Sequence, residues 1–208
     1  MVPNNRSLAA FEGAEVQTRR RQIEDVASAL LSSRGYAATS MRDIARALDL
    51  QGGSLYSHIP SKEAVLAAIV EEAAEEFHAA VRPVAERPSP AAQRLREMIA
   101  AHVRVVTGGR ERAKVFLFEW TFLGEERRAA VTRSRSAYQG YFEQVVAEGV
   151  AAGELDTPDP GLAAVFILSA MNAMAHWYRP DGALGPDALA EHFADLFLNG
   201  IERHERKP

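Results

Sequence analysis

The sequence predicts an all-α protein of about nine helices, three short ones and a long one within the first 83 residues and a bundle of longer helices after them. Three observations carry this prediction. Apolar residues recur at spacings of three and four, as on one face of an α-helix. No stretch sustains the apolar–polar alternation that a half-buried strand needs. Gly and Pro punctuate the chain between periodic segments, and alanine richness favours helix.

Taken in order, the first periodic segment carries Ile23, Val26, Ala27, Leu30 and Leu31 on one stripe and stops at Gly35. Thr39 or Ser40 caps a short second helix, with Asp43 placed as a capping-box acid and Met41, Ile44, Ala45 and Leu48 facing inward. A third helix runs from about Gly52 to His58 and cannot pass Pro60. Ser61 caps the fourth, which carries Leu66, Ile69, Val70, Ala73 and Phe77 and reaches Pro83. Beyond a proline-rich connector at 82–90, helices are expected over Ala91–Val106, Arg110–Leu123, Glu125–Ala152, Gly161–Tyr178 and Pro186–His204. Helices of this length with short connections pack as an antiparallel bundle.

Composition excludes several classes of chemistry. The chain has 208 residues, 47% of them hydrophobic and 25% charged, the balance of an ordinary globular protein. It has no cysteine, so disulfide scaffolds, thiolate zinc sites and cysteine nucleophiles are out. Met1–Gly13 is polar and lacks the apolar core of a secretion signal, and Ala163–Ala175, broken by Ser169 and Asn172, is too short to span a bilayer. A cytoplasmic protein with no membrane partner is expected. Net charge is −4, yet the window Val16–Lys62 has seven basic residues against four acidic ones, so a +3 head sits on a −7 body. Such a head can offer a face to phosphates.

Ser40–Leu48, a turn at Asp49–Gln51, and Gly52–His58 together describe a helix-turn-helix. Leu55 and Ile59 would anchor the second helix, leaving Gln51, Gly52, Gly53, Ser54, Tyr56, Ser57 and His58 outward. Glycines permit close approach to base edges in a major groove, and the polar residues can bond bases or phosphates. Thr39, Ser40 and Arg42 at the start of the first helix, and Lys62 with the free amides of the fourth, would add backbone contacts. On pattern alone, helical hairpins of this size also occur in proteins that never touch DNA.

The residues 23–66 resemble the N-terminal domain of the TetR family. The resemblance rests on Arg34-Gly35-Tyr36, on Thr39-Ser40-Met41-Arg42-Asp43-Ile44-Ala45, and on Gly53-Ser54-Leu55-Tyr56-Ser57-His58-Ile59-Pro60-Ser61-Lys62-Glu63. Ile59 stands where the family pattern has phenylalanine, and Asp49 where members usually have glycine. The resemblance implies a homodimeric regulator that binds a palindromic operator on double-stranded DNA and responds to a small molecule. Its expected parts are a flexible tail at 1–15, a helix-turn-helix domain at 16–66 and a ligand-binding and dimerisation domain at 67–208.

The C-terminal part shows no catalytic constellation, and its histidines form no metal-binding pair, so no enzyme, no metal and no cofactor is expected. Val115, Phe116, Phe118, Trp120, Phe122 and Leu123 crowd apolar bulk around a helix, which either is buried all round or lines a cavity. Trp177-Tyr178-Arg179-Pro180 ends a helix, where the arginine can cap carbonyls or bind an anion. Phe166 and Ala170 on one of the last two helices, with Leu189, Phe193, Phe197 and Ile201 on the other, form the expected dimer seam. Glu119-Trp120 through Arg133, Arg135 and Tyr138, with Trp177–Gly182 and Phe193–Phe197, is similar to a TetR branch that regulates fatty-acid and steroid catabolism. That branch implies an acyl-coenzyme A effector, with Arg110, Arg112, Arg127, Arg128, Arg133 and Arg135 as charge for its phosphates. Phe116, Trp120, Phe122, Arg133, Tyr138, Phe166, Asn172, Trp177 and Arg179 are the expected effector residues. An activator of the same fold, or a helical acyl-thioester-binding protein or enzyme, are the alternative readings.

Overall fold

The computed structural model describes residues 5–199 and, Gly52 aside, the side chains from Thr18 onward. Among the described residues every regular element is helical: α1 Asn5–Arg34, α2 Met41–Ala47, α3 Gly52–His58, α4 Lys62–Ala85, α5 Ala91–Gly108, α6 Arg110–Phe118, a 3₁₀ turn Trp120–Phe122, α7 Glu125–Ala151, α8 Pro160–Trp177 and α9 Pro186–Asn199. The expected tail at 1–15 is, from Asn5 on, part of α1.

Local chemistry sets the short elements. Leu31 accepts the Gly35 amide at 2.9 Å, and Gly35 turns the chain at φ +82°, a region open to glycine at no steric cost. Ser40 and Asp43 complete a capping box: the Ser40 hydroxyl accepts from the Asp43 amide and the Asp43 carboxylate from the Ser40 amide. Those bonds hold the Asp43 carboxyl below the usual carboxylate range. Asp49 lies at φ +54°, the only left-handed non-glycine residue among those described. Leu55 is the one fully buried residue of α3 described, and Ile59 just beyond it is buried too. Ser61 caps α4 by accepting the Ala64 amide.

α4 belongs to both halves of the molecule. Its first turns carry Val65, Leu66, Ile69 and Val70 and its later ones Phe77 and Val81, all buried. It packs against α1 at one end and against α5, α6 and α7 at the other, while α9 lies along α5 and α8 along α7. The buried cluster runs unbroken from Ile23 to Ala194, so the boundary expected at 66–67 falls inside α4 with no gap in the core.

One predicted helix is cut short. Arg110–Leu123 ends as an α-helix at Phe118 and tightens into the 3₁₀ turn, with the Phe122 amide on the Glu119 carbonyl and Leu123 on Trp120. The tighter turn directs Trp120 to a cavity and Phe122 to the Tyr36 ring. No helix among the described residues is long and apolar enough to cross a membrane.

Candidate nucleic-acid interface and ligand cavity

The outer face of α3 is open. Gln51, Gly53, Ser54, Tyr56 and Ser57 are exposed, Tyr56 at 53%, and His58 is half-buried. A Cβ on Gly53 would meet nothing within 4 Å among the described residues, so no packing among them calls for glycine there. Nothing is described of Gly52 beyond its place as the first residue of α3. Ser57 donates to the Ser54 carbonyl, and Arg42, exposed on the first turn of α2, has no ion pair among the described residues. Arg42, Ser40 and Tyr56 edge one shallow cleft.

Two residues expected at the DNA do other work. Thr39 is 1% exposed, and its hydroxyl donates to the Gly35 carbonyl at 2.9 Å, so it braces the α1–α2 turn. Lys62 donates to the carbonyls of Tyr36 and Thr39 at 2.8 and 2.9 Å and lies 4.0 Å from the Tyr36 ring centroid. Two of its three N–H bonds are therefore spent inside the protein, where they brace the turn after α1.

A cavity of about 310 Å³ opens between α4, α5, α6, α7 and α8. Phe77, Phe116, Leu117, Trp120 and Leu168 give it apolar walls. Arg135 enters from α7, its guanidinium 5.6 Å from the Phe116 ring and 5.5 Å from that of Trp120. It has no carboxylate partner among the described residues, and burial lowers its pKa. Tyr138, one turn further along α7, bonds His102 of α5 at 2.9 Å. Burial holds the His102 imidazole neutral, its pKa lowered to about 3.

Of the expected effector residues, Phe116, Trp120, Tyr138 and Asn172 line this cavity. The other five do not. Phe122 is half exposed and stacks on Tyr36 at 5.1 Å, Arg133 is exposed, and Arg179 reaches Asp181. Phe166, 64% exposed, and Trp177, 50% exposed, lie on the outer face of α8. Arg133 lies two residues from Arg135 and so faces elsewhere around α7. Among the other arginines, Arg127 pairs with Glu63, and Arg110 reaches Glu111 and the Tyr178 carbonyl. Arg112 joins Asp25 of α1 to Glu72 and Glu76 of α4.

A second ring of contacts joins cavity and head. Glu119, beside Trp120, accepts the Tyr36 amide at 2.8 Å, and Phe122 covers the same tyrosine. The sequence does not show the roles of Glu119, Arg112 and His102, because their partners lie 36 or more residues away. Only Arg135 left a local signal, falling on the α7 face of Tyr138, Thr132 and Gln139.

At the expected seam, Phe166 meets Phe197 edge-on at 5.6 Å, Phe193 stacks on Phe197 at 5.7 Å, and Trp177 lies 6.4 Å from Phe193. Leu162, Val165 and Leu196 add exposed apolar surface around them. Ala170 is half-buried, whereas Leu189 is buried inside the chain and is not available to a second copy. Ile201 lies outside the described residues.

Residues 23–69 match the model of the bacterial regulatory proteins of the tetR family, and residues 88–201 match a tetracyclin repressor-like C-terminal domain. The chain belongs to the TetR family. It is accordingly a helix-turn-helix transcriptional regulator and not an enzyme. Among TetR-family relatives, the transcriptional repressor KstR2 of Rhodococcus jostii is 25% identical over 88% of this chain and 91% of its own. The regulator PfmR of Thermus thermophilus superposes with a TM-score of 0.80 at 31% identity, covering 87% of this chain and 99% of that one. AibR, solved in complex with isovaleryl coenzyme A and operator DNA, superposes with a TM-score of 0.78 at 28% identity, over 86% and 97% of the two chains.

Proposed function

We propose that two copies of this chain pair through the outer faces of α8 and α9, bind a palindromic operator through their α3 helices, and leave it when an acyl-coenzyme A thioester enters the cavity. The observation that carries this reading is the cavity itself: apolar walls, a guanidinium without a carboxylate partner, and walls on the two elements that hold the head. A half-buried arginine that rests on aromatic rings, with no carboxylate partner among the described residues, favours an anionic ligand. At about 310 Å³ the cavity suits an acyl portion, so the nucleotide of the thioester would lie outside it. The acyl-bearing ligand named for AibR supports the same choice.

Release follows from geometry. A dimer reads two half-sites only while its recognition helices stand roughly 34–36 Å apart. Phe77 and His78 put α4 in the cavity wall, and Ser61 and Lys62 put its start in the head. Trp120 likewise stands in the wall while its neighbours Glu119 and Phe122 hold Tyr36. A ligand that displaces either element moves α3 out of register, provided it binds the released state more tightly. Repression is the expected output, as for the KstR2 relatives, and the cytoplasm the expected location.

The test is selection of bound duplexes from random DNA by the purified protein, repeated with isovaleryl coenzyme A and with a long-chain acyl-coenzyme A. A palindrome recovered without thioester and lost with one of them is the expected result. A palindrome indifferent to both removes the thioester, and no enrichment at low salt removes DNA binding through α3.

A further inference from the structure

We propose that the cavity selects an effector whose buried, otherwise apolar portion carries a neutral acceptor oxygen, a ketone or its equivalent, held by His102. The proposal rests on the reading of the cavity as the effector site.

His102 is 1% exposed and lines the cavity, with its ring among those of Phe77, Tyr138 and Phe142. Its Nδ1 is joined to the Tyr138 hydroxyl at 2.9 Å, while its Nε2 is buried with no partner among the described residues. A buried polar atom left unpaired costs about 1–3 kcal/mol, and such atoms mark places where a partner is absent. The proton inventory says which partner. Among the described residues, His102 Nδ1 is the one acceptor within reach of the Tyr138 hydroxyl. If Tyr138 donates to Nδ1, the ring proton sits on Nε2 and one donor is left over. If Nδ1 donates to Tyr138 instead, the phenol proton and Nε2 are both left over. The first arrangement leaves fewer orphans, so Nε2–H is a donor in search of an acceptor.

The environment narrows the acceptor. The imidazole is held neutral by burial, so no carboxylate is called for at this end. Arg135, on the same wall one turn before Tyr138, is the cationic position. The cavity wall therefore holds two groups of different chemistry, an anion site at Arg135 and, just beneath the surface, a neutral donor at His102 that an entering ligand reaches by parting the rings around it. A plain alkyl tail would satisfy the walls and leave Nε2–H unpaired. A carbonyl oxygen set into that tail satisfies both.

The test needs no knowledge of the whole effector. Cyclohexanone and methylenecyclohexane have nearly the same shape and differ in the acceptor oxygen. Their binding to the full-length protein can be followed by ligand-observed NMR and by the imidazole signals of nitrogen-labelled His102. Cyclohexanone is expected to bind at least about fivefold more tightly and to shift the Nε2–H signal. His102→Phe should abolish the preference. The double variant H102F/Y138F, which leaves no orphaned phenol, should do the same if the single variant folds poorly. Equal binding of the two fragments, a preference for the alkene, or no binding of either overturns the proposal, because a resident water or the protein itself then satisfies Nε2. DNA release by isovaleryl coenzyme A, measured on the same protein, reads the effector proposal separately. Release without a ketone preference would sink the His102 assignment alone.

Discussion

The outer face of α3 and the cavity between α4 and α8, the two proposed sites, are opposite in construction. On the outer face of α3 the side chains point into solvent, their polar atoms reach water, and Gly53 keeps a clearing that no described residue fills. In the cavity the decisive polar groups are wholly or partly withdrawn from water, and among the described residues Arg135 has no carboxylate partner and His102 Nε2 no hydrogen-bond partner. A surface site can be assembled from residue types, because water satisfies whatever its ligand does not. A buried site is defined by what its neighbours fail to satisfy.

If the two sites are separable, the largest single effect should fall on one and spare the other. Leu55→Ala removes the fully buried anchor of α3 and should cost about 3 kcal/mol of stability. Operator binding should collapse while effector binding, titrated by calorimetry, stays intact. Loss of both together would mean that head and body unfold as one, which the continuous core makes a fair contest.

Acid should act on the buried site. His102 has its folded pKa lowered to about 3 by burial, against about 6.5 when unfolded. Between those values only the unfolded chain takes up the proton, so stability falls as pH drops below about 6.5 and is unaffected by this group above it. Urea unfolding at pH 6.5 and pH 5 should differ by about 2 kcal/mol from this residue. His102→Phe should remove that portion of the slope, and an unchanged slope would refute the burial of the imidazole.

Lys62 and Arg42 sharpen the contrast within the head. Lys62→Ala deletes two bonds to carbonyls and should lower stability by about 1–2 kcal/mol, with the salt dependence of DNA binding unchanged in the folded protein. Arg42→Ala should leave stability alone and reduce that salt slope by about one. The reverse pattern would return Lys62 to the phosphates. The smallest change is Asp49→Gly. Releasing a side chain from φ +54° should raise the unfolding free energy by about 0.5–1 kcal/mol in a denaturant series.

How much of this was legible from the residues follows the same division. The bounds of α2 and α3, the capping box and the Gly35 stop rest on neighbours within four residues, and they could be read directly. Asp49 could be read as an oddity, and the structure gives it a left-handed backbone. Lys62 reads as a phosphate contact because it is a cation beside a helix start, and its bonds to carbonyls 23 and 26 residues upstream leave no local signal. Phe122, Phe166 and Trp177 were legible as aromatics but not as to side. Whether a helix continues as α or tightens at Glu119 decides where Phe122 goes. His102 was one histidine among six, and its distinction is a missing bond, which no pattern of letters records.

The grip on Tyr36 has a practical meaning for anyone building sensors from such proteins. The turn after α1 is held from three sides: by Glu119 on its amide, by Phe122 on its ring and by Lys62 on its carbonyl. Two of the three come from the body. A head transplanted from another regulator with a different residue at this position would still offer its amide to Glu119 but would lack the ring that Phe122 covers, so the body would hold it by one contact instead of two. A chimera that hears its effector would have to carry Tyr36, Glu119 and Phe122 together, as one cassette assembled from two distant stretches of the gene.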